Sequence, residues 1–256
     1  MEKVLLIDAG NTRLKWAIAE LSMAESSAVE PARWLEQGVA SYDAFSELPS
    51  MWRRHGRLLA CHAVNVAGAA AGESIEGLLA SISLVPVWVR ASAAACGVIN
   101  RYHPPESLGA DRWAALAGAR RRTREACLVV SAGTALTVDA LTQDGQFIGG
   151  MIAPGLHMMR QALAKNTAQV GEQYGNVLEF PVNTWDAVET GIVSALAGAV
   201  ENMGARLAKI SSARPRCLLT GGDAEALEPS LSLATERVPG LVLEGVYQIA
   251  REDDRT

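Results

Sequence analysis

The chain has 256 residues, of which 49% are hydrophobic and 20% are charged. This length and apolar content allow a full hydrophobic core in one large domain or two domains of ordinary size. The formal net charge of -5 argues against a broad nucleic-acid surface, because such surfaces need many Lys and Arg contacts to phosphate. The basic run from Arg120 to Arg124 is interpreted as a solvated helix end, so nucleic acid is not an expected partner.

The four cysteines, Cys61, Cys96, Cys127 and Cys217, lie far apart and form no CxxC pair. Their apolar neighbours favour buried thiols of a reducing compartment over disulfides or zinc ligands. The histidines also lack a metal-ligand spacing. The N-terminus leads straight into a predicted strand without a signal-peptide layout, and no stretch is long enough to cross a bilayer. We therefore expect a cytoplasmic protein without a structural metal.

Strands and helices alternate in both halves of the chain. The first half predicts strands at 3–8, 14–19 and near 39, a helix capped by Ser41, a strand at 58–61, a helix through 78–79 and a strand at 85–89. The second half predicts strands at 127–130, 135–141 and 146–148 with a turn at 143–145, a helix from about 186 to 209, a strand at 217–219, a helix near 224, and a last strand and helix near 241–251. Both halves open on a strand that stops at a glycine turn. The sequence thus predicts an α/β fold of two related lobes, residues 1–116 and 117–256.

The first glycine turn combines a strand-end acid with small and polar residues. Gly10 lets the backbone approach a phosphate closely, while Asn11 and Thr12 offer polar contacts. Asp8, at the end of the strand, can hold Mg²⁺ directly or through water, and Lys15 can reach β- or γ-phosphate oxygens. An ordinary hairpin turn explains the same residues equally well.

The second turn, at residues 131–134, repeats this arrangement after another apolar strand. Thr134 would meet the phosphates from the opposite wall, although a structural turn is the commoner role for such residues. Glycine pairs at 149–150 and 221–222 allow close approach of a nucleotide or, by default, of another chain segment. Thr184 precedes a predicted helix, so it can cap that helix or contact a ligand.

An Asp-Arg pair marks the start of the predicted helix at 111–122. A cap role at the helix dipole explains Asp111, but it does not explain the adjacent Arg112. A carboxylate that deprotonates an alcohol, beside a guanidinium that binds a substrate carboxylate, explains both. Both interpretations remain open on spacing alone.

Taken together, the motifs resemble those of type III pantothenate kinases in identity and order, from about residue 4 to 224. They are Asp8-x-Gly10-Asn11-Thr12, Gly109-x-Asp111-Arg112, Ala132-Gly133-Thr134-Ala135, Gly149-Gly150-x-Ile152-x-Pro154-Gly155, Asn183-Thr184 with Gly191-Ile192, and Thr220-Gly221-Gly222-Asp223-Ala224. The resemblance implies the fold of the acetate and sugar kinase and actin superfamily. In that fold, two ribonuclease-H-like lobes, with mixed sheets flanked by helices, enclose an interlobe cleft.

The resemblance also implies an activity, in which the γ-phosphate of ATP passes to pantothenate with Mg²⁺ as cofactor. The product is 4'-phosphopantothenate, in the first step of coenzyme A biosynthesis. ATP contacts are implied at Asp8, Ala9, Gly10, Asn11, Thr12, Arg13, Leu14, Lys15, Gly133 and Thr134. Asp111 is implied as the general base, and substrate contacts are implied at Tyr102, Gly109, Ala110, Asp111, Arg112 and Thr184. Family members are dimers whose partner chain helps close the substrate site, so Thr184 is expected to act across the interface.

One departure from the family pattern concerns a monovalent cation. Family members usually carry an acid where this chain has Ser131, and that acid binds K⁺ or NH₄⁺. A neutral hydroxyl binds a cation far more weakly than a carboxylate, so either the ion is dispensable here or another group holds it.

Two other functions are compatible with the same fold. One is a phosphotransferase or phosphatase with a different small acceptor, since a fold and its phosphate turns do not choose the acceptor. The other is a regulatory protein that has lost catalysis, although the presence of Asp8, Asp111 and Thr134 speaks against it.

Overall fold

The computed structural model describes residues 2–21, 33–167, 170–171 and 173–253. Up to residue 124, the strands are β1 Glu2–Ala9, β2 Leu14–Leu21, β3 Trp34–Ala40, β4 Ala60–Asn65, β5 Pro86–Trp88, β6 Ala94–Ala95 and β7 Val98–Asn100, and the helices are α1 Leu48–Arg53, α2 Ala69–Ala80 and α3 Ala110–Arg122. Beyond it come β8 Cys127–Ala132, β9 Ala135–Leu141, β10 Gln146–Pro154, α4 Leu156–Asn166, α5 Thr184–Ala208, β11 Arg216–Thr220, α6 Ala224–Leu227, β12 Thr235–Arg237 and α7 Leu241–Asp253. Short 3-10 helices cover Tyr42–Glu47, Pro105–Ser107 and Glu228–Ser230.

The chain divides into two compact units. The first consists of Met1–Arg124, Gly145–Phe147 and Gly240–Thr256, and the second of Glu125–Asp144 and Ile148–Pro239. The boundary expected between residues 116 and 117 would cut α3, whereas the whole helix belongs to the first unit. The C-terminal helix α7 returns to the first unit because it packs along α3, where Arg122 donates two hydrogen bonds of 2.7 Å to the buried Glu244 carboxylate.

The first unit is built on a five-stranded mixed sheet in the order β3-β2-β1-β4-β5. β1 pairs antiparallel with β2 and parallel with β4, and β2 pairs antiparallel with β3. Apolar side chains of these strands and of α1 and α2 form one core, which includes Leu5, Ile7, Trp16, Trp52 and Ile75. The predicted three-strand meander and the strand–helix order after it are confirmed.

The second unit repeats the opening of the first. Its strands follow the order β12-β11-β8-β9-β10, in which β8 pairs antiparallel with β9 and parallel with β11. Leu128 and Val130 of β8 pack in a core with Leu196 and Val200 of α5. β8 therefore has the same pairing in this unit that β1 has in the first, and the predicted mixed α/β class is confirmed.

Several predicted elements differ from the structure in detail. Ser41 precedes a 3-10 helix and a short α1 instead of one longer helix, and its side chain makes no cap hydrogen bond. The strand expected at 58–61 runs later, at Ala60–Asn65, and β10 continues through Gly149 and Gly150 to Pro154. The β6–β7 hairpin and α4 were not predicted.

The interpretation of residues 120–124 as a solvated helix end is wrong for part of the run. Arg120 is buried, and Arg122 pairs with Glu244 of α7. The packing of α7 covers this end of α3, which local sequence cannot indicate. Within the described part of the chain, no helix has the length and apolar character to cross a membrane.

Candidate functional site

The first glycine turn joins β1 to β2 in a tight connection. The Gly10 N–H donates to the Arg13 carbonyl at 3.2 Å, which closes the turn, and the register places Lys15 directly opposite Asp8. Lys15 Nζ lies 3.8 Å from Asp8 Oδ2. Residues 11–13 are exposed, while the strand residues on both sides are largely buried. The turn therefore presents polar backbone and side chains from a rigid base.

The Asp8 carboxyl is buried and has a perturbed pKa. Burial raises the pKa to about 6, the Lys15 ammonium opposes that shift, and the Asp111 carboxylate adds to it. Asp8 and Asp111 are therefore close enough within the first unit to interact electrostatically. A buried acid with a raised pKa beside a cation is typical of sites that bind a metal or move a proton.

Tyr42 also belongs to this turn, although sequence reasoning did not select it. Its hydroxyl donates a 2.6 Å hydrogen bond to the Gly10 carbonyl, and its ring packs 4.8 Å from the ring of Phe45. β3 pairs antiparallel with β2, with Ala40 opposite Leu14, so the chain after β3 arrives beside the turn. Thirty-two residues separate the two partners, and no local pattern signals their contact.

Asp111 lies in the first turn of α3, after Gly109 at the N-cap position. Its Oδ1 accepts a 2.8 Å hydrogen bond from the Arg112 N–H. The helix dipole favours an ionised acid at this end. The side chain is partly exposed, so an external hydroxyl can reach the carboxylate. The cap and base roles proposed from the sequence are thus compatible in one side chain.

Arg112 is buried and held by two aromatic rings. Its guanidinium donates to the Tyr102 hydroxyl oxygen at 3.1 Å and lies 5.3 Å from the Tyr102 ring centre. It also lies 5.9 Å from the ring centre of Phe147, a fully buried residue whose ring is 5.2 Å from that of Tyr102. The predicted pair Tyr102 and Arg112 is therefore brought together, and Phe147 is a third member that the sequence did not reveal.

Tyr102 is in turn fixed by Asn100. The buried Asn100 side chain accepts a 3.0 Å hydrogen bond from the Tyr102 N–H and donates to the Pro105 carbonyl at 3.0 Å. These contacts order the loop that leads to Gly109 and α3. The arrangement can hold an anionic group near Arg112 while the neighbouring Asp111 accepts a proton.

The donors present fit a magnesium ion bound together with phosphates. Among the described residues, no group of three or more His, Cys, Asp or Glu side chains could hold a metal ion. Magnesium in phosphate sites is typically bound through one or two carboxylates, with water and phosphate oxygens completing its coordination. The strand-end carboxylate of Asp8, beside Lys15, suits that mode of binding.

The second glycine turn is enclosed by two further glycines of the second unit. The Thr134 carbonyl accepts from the Gly155 N–H at 2.9 Å, and the Ala132 carbonyl accepts from the Asp223 N–H at 3.0 Å. A Cβ on Gly155 would lie 1.9 Å from the Gly133 carbonyl oxygen, and one on Gly221 would lie 2.0 Å from that of Ala132. Close packing, the default interpretation, therefore explains both glycines, while Gly133 and Thr134 stay at the surface of the turn.

Ser131 lies beside two other hydroxyl residues. It pairs with Thr137 of β9 and with Thr220 of β11, and directly paired residues project from the same face of a sheet. Three neutral hydroxyl side chains therefore lie side by side on these strands.

Thr184 is the first residue of α5 and is exposed. The cap of this helix is Asn183, whose side chain accepts a 3.0 Å hydrogen bond from the Asp186 N–H. The expectation that Thr184 could be the cap is therefore wrong, because its neighbour fills that position. Its hydroxyl is left available to a ligand.

Comparison with solved structures defines the class of the fold. A Campylobacter jejuni protein assigned to the Baf family of transcriptional activators matches with a TM-score of 0.62 at 19% identity, covering 98% of this chain and 100% of that one. Component A of (R)-2-hydroxyglutaryl-CoA dehydratase from Acidaminococcus fermentans matches with a TM-score of 0.56 at 13% identity, covering 98% and 97%. With two mixed sheets flanked by helices, the chain has the fold of actin-like ATPases and sugar kinases.

Sequence comparison narrows this class to one family. The model of type III pantothenate kinases matches residues 4–206. The type III pantothenate kinase of Aromatoleum aromaticum is 44% identical over 250 residues, covering 98% of each chain. The chain belongs to the type III pantothenate kinase family, as the ordered motifs predicted.

Proposed function

We infer that this chain is an ATP-dependent pantothenate kinase, which transfers the γ-phosphate of ATP to pantothenate in the first step of coenzyme A biosynthesis. The observation that carries the inference is the placement of Asp111 and Arg112 at the head of α3, in the same unit as the Asp8 turn and electrostatically coupled to Asp8. Family membership identifies the acceptor.

The acceptor is assigned to the residues around α3. Arg112 binds the pantothenate carboxylate, because its guanidinium is already oriented by Tyr102 and Phe147. Asp111 is the general base: its Oδ1 is engaged by the Arg112 N–H, and we assign Oδ2 to the primary hydroxyl of the substrate. Gly109 and Ala110 are assigned to the substrate as well, since they adjoin Asp111 in the chain, and Thr184 is assigned to the substrate site of a partner chain.

The nucleotide is assigned to the two glycine turns. Residues 8–15 are assigned to the phosphates, with Lys15 as the cationic side chain. Gly133 and Thr134 of the second unit are also assigned to ATP. Magnesium, held through Asp8 and water, would neutralise phosphate charge during transfer. Phosphoryl transfer depends mainly on positioning and electrostatic stabilisation, which rigid turns on strand ends supply. We propose that each unit is a ribonuclease-H-like lobe.

We further propose that no carboxylate-bound monovalent cation is used at Ser131. The row formed by Ser131, Thr137 and Thr220 offers neutral oxygens alone, and these bind K⁺ or NH₄⁺ far more weakly than an acid does. Turnover should accordingly depend little on K⁺.

We propose that the kinase is a homodimer. An exposed apolar face on the second unit supports this, formed by Tyr174, Val177, Leu178, Phe180, Val182 and Trp185. Thr184 adjoins Trp185 of this face, which is where a residue that acts on the partner chain's substrate would lie. A cytoplasmic location is also proposed, because Cys61, Cys127 and Cys217 are free and buried, as expected in a reducing compartment.

The general-base assignment is tested with Asp111→Asn in a coupled assay of ATP consumption with pantothenate, run with and without K⁺. We expect turnover to fall by about 10²–10⁴-fold, the usual contribution of a general base, with MgATP affinity unchanged. Glu73→Gln, which replaces an exposed acid on α2, is the matched control and should retain full turnover.

Two results would contradict the proposal. Unchanged turnover of Asp111→Asn would remove that residue from the mechanism. If the wild-type protein phosphorylates another alcohol instead of pantothenate, a phosphotransferase with a different acceptor is favoured. If it binds MgATP but phosphorylates no alcohol, a regulatory protein is favoured.

A further inference from the structure

The turn after β1 is held at one residue, Gly10, by two hydrogen bonds. The Gly10 N–H donates to the Arg13 carbonyl at 3.2 Å, and the Gly10 carbonyl accepts from the Tyr42 hydroxyl at 2.6 Å. The first contact belongs to the turn itself. The second comes from the start of a separate 3-10 helix and ties the turn to the body of the unit.

The hydrogen bond from Tyr42 to the Gly10 carbonyl also fixes the direction of the Asn11 N–H. The Gly10 carbonyl and the Asn11 N–H belong to one planar trans peptide, in which the C=O and N–H bonds point in opposite directions. A hydroxyl that holds the carbonyl on the inner side of the turn therefore turns the Asn11 N–H to the outer side. The outer side of the turn, at residues 11–13, is exposed.

We propose that Tyr42 is a positioning residue, which holds the Gly10–Asn11 peptide so that the Asn11 N–H faces the phosphates of the bound nucleotide. The inference rests on the proposed function, since it assigns the turn to ATP. Backbone N–H groups preset in this way bind phosphate without having to be reoriented during binding.

The surroundings of Tyr42 suit a rigid donor. Its ring packs against Phe45 and the core of the first unit, so the hydroxyl has little freedom to leave the carbonyl. Burial, and secondarily the Asp8 carboxylate, raise the pKa of the Tyr42 hydroxyl above its ordinary value. The hydroxyl thus stays protonated, and a donor, throughout the range in which the enzyme works.

The experiment compares Tyr42→Phe with a matched control in the same unit. Phenylalanine keeps the ring packing and removes only the hydroxyl. Tyr247→Phe removes an equivalent hydrogen bond, from the Tyr247 hydroxyl to the Glu20 carbonyl at 2.9 Å, at a site remote from the turn. For each variant we would measure MgATP affinity by calorimetry without pantothenate, KM for both substrates, kcat, and amide hydrogen exchange of residues 9–14 in the free protein.

We expect Tyr42→Phe to weaken MgATP binding by about three- to tenfold, as loss of one organising hydrogen bond would do. KM for pantothenate should stay within about twofold of wild type, because Arg112 and Asp111 are untouched. Amide exchange in the turn should rise in Tyr42→Phe alone. Tyr247→Phe should match wild type in nucleotide affinity even where it lowers the melting temperature.

Two outcomes would overturn the inference. One is that the two Phe variants have the same MgATP affinity and the same amide exchange in the turn. The other is an equal rise in KM for both substrates in Tyr42→Phe, which would indicate a general loss of structure instead of an effect on the nucleotide. Failure of the proposed function would look different, since the wild-type protein itself would then bind no MgATP or leave pantothenate unmodified.

Discussion

Asp8 combines a functional position with an unfavourable environment. The carboxyl is 7% exposed, and burial is the largest cause of its raised pKa of about 6. The Lys15 ammonium, 3.8 Å away, offsets part of the free-energy cost of ionising this buried carboxyl. An ionised Asp8 therefore destabilises the free protein, while the same negative charge is what a magnesium ion with its nucleotide needs.

Replacing this acid by its neutral isostere should separate stability from activity. We expect Asp8→Asn, without ligands, to be more stable than wild type by about 3 kcal/mol at pH 8, since each pKa unit corresponds to about 1.4 kcal/mol. The unfolded carboxyl ionises near 3.8 and the folded one near 6, so the gain should shrink as pH falls through that window. Urea unfolding at pH 8 and 5 measures the gain, and MgATP-dependent turnover should be lost.

Asp43→Asn is the control of opposite sign. The pKa of Asp43 is lowered, first by the Ser41 side chain and then by its own backbone N–H, so its ionised form stabilises the fold. Its replacement should be slightly destabilising, and more so at pH 8 than at acid pH. A stability loss in Asp8→Asn that is independent of pH would contradict the account of Asp8.

Which site residues the sequence reveals depends on how local their contacts are. The places of Asp8, Gly10 and Asp111 at a strand end, a turn and a helix start were predictable, because these are local features. Tyr42 and Phe147 were not, since they reach Gly10 and Arg112 through contacts between residues more than thirty positions apart. From the sequence alone, aromatic residues such as Tyr42 and Phe147 cannot be told from ordinary core residues, because their partners depend on the order of strands in the sheet.

Among the elements, α3 and α7 come into unusually close contact. A Cβ on Gly245 of α7 would lie 1.6 Å from the Ala114 carbonyl oxygen, and one on Gly118 of α3 would lie 2.6 Å from that of Leu241. Glycine on each helix therefore lets the two backbones meet. This packing places α3, with Asp111 at its head, firmly on the first unit.

One methyl group should disrupt this contact. We expect Gly245→Ala to destabilise the protein by about 3 kcal/mol, because the obstacle is backbone and cannot rotate away. Gly77→Ala is the control: Gly77 is an exposed residue inside α2 with nothing near its Cβ position, and its replacement should stabilise by about 0.5–1 kcal/mol. Thermal and urea unfolding compare the two; similar effects of both substitutions would exclude the steric account.

The elements themselves were predictable where burial repeats with a regular period. The strands β1, β2, β8 and β9 are apolar runs bounded by turns, so the sequence pattern predicts the antiparallel opening of each half. The region after Ser41 was not, because Tyr42 and Phe45 serve the tertiary core instead of one helix face. Arg120 was misassigned for a related reason, since its side chain lies beside Gly97 and Gly145, which are distant from it in the sequence.

At the scale of the whole molecule, the apolar face of the second unit is held in place by α5. Asp186 accepts from the Asn176 N–H at 2.6 Å and from Asn183 Nδ2 at 2.5 Å, and the Leu178 N–H donates to Thr190 Oγ1 at 3.0 Å. Phe180 and Val182 are nevertheless 80% and 92% exposed. A face that is ordered and apolar is typical of a protein–protein interface.

A charge on this face should break the proposed dimer. We expect Phe180→Glu to raise the dimer dissociation constant by about 30-fold or more, as loss of a central aromatic anchor does, and to lower turnover with it. Val85→Glu, at an equally exposed residue of the first unit (81%), should leave both unchanged. Sedimentation velocity across a dilution series provides the measurement. A wild-type monomer, or identical sedimentation of both variants, would rule out this interface.

The return of α7 to the first unit has a consequence for biosynthesis. On the ribosome, α3 and the sheet beneath it emerge more than a hundred residues before the helix that covers them. The early nascent chain must therefore carry an uncovered groove, walled by Ala114 and Gly118, through the synthesis of the entire second unit. Maturation of the half that bears Asp111 is thus deferred until α7 has been made, and truncation before Leu241 would damage a part of the enzyme that was made much earlier.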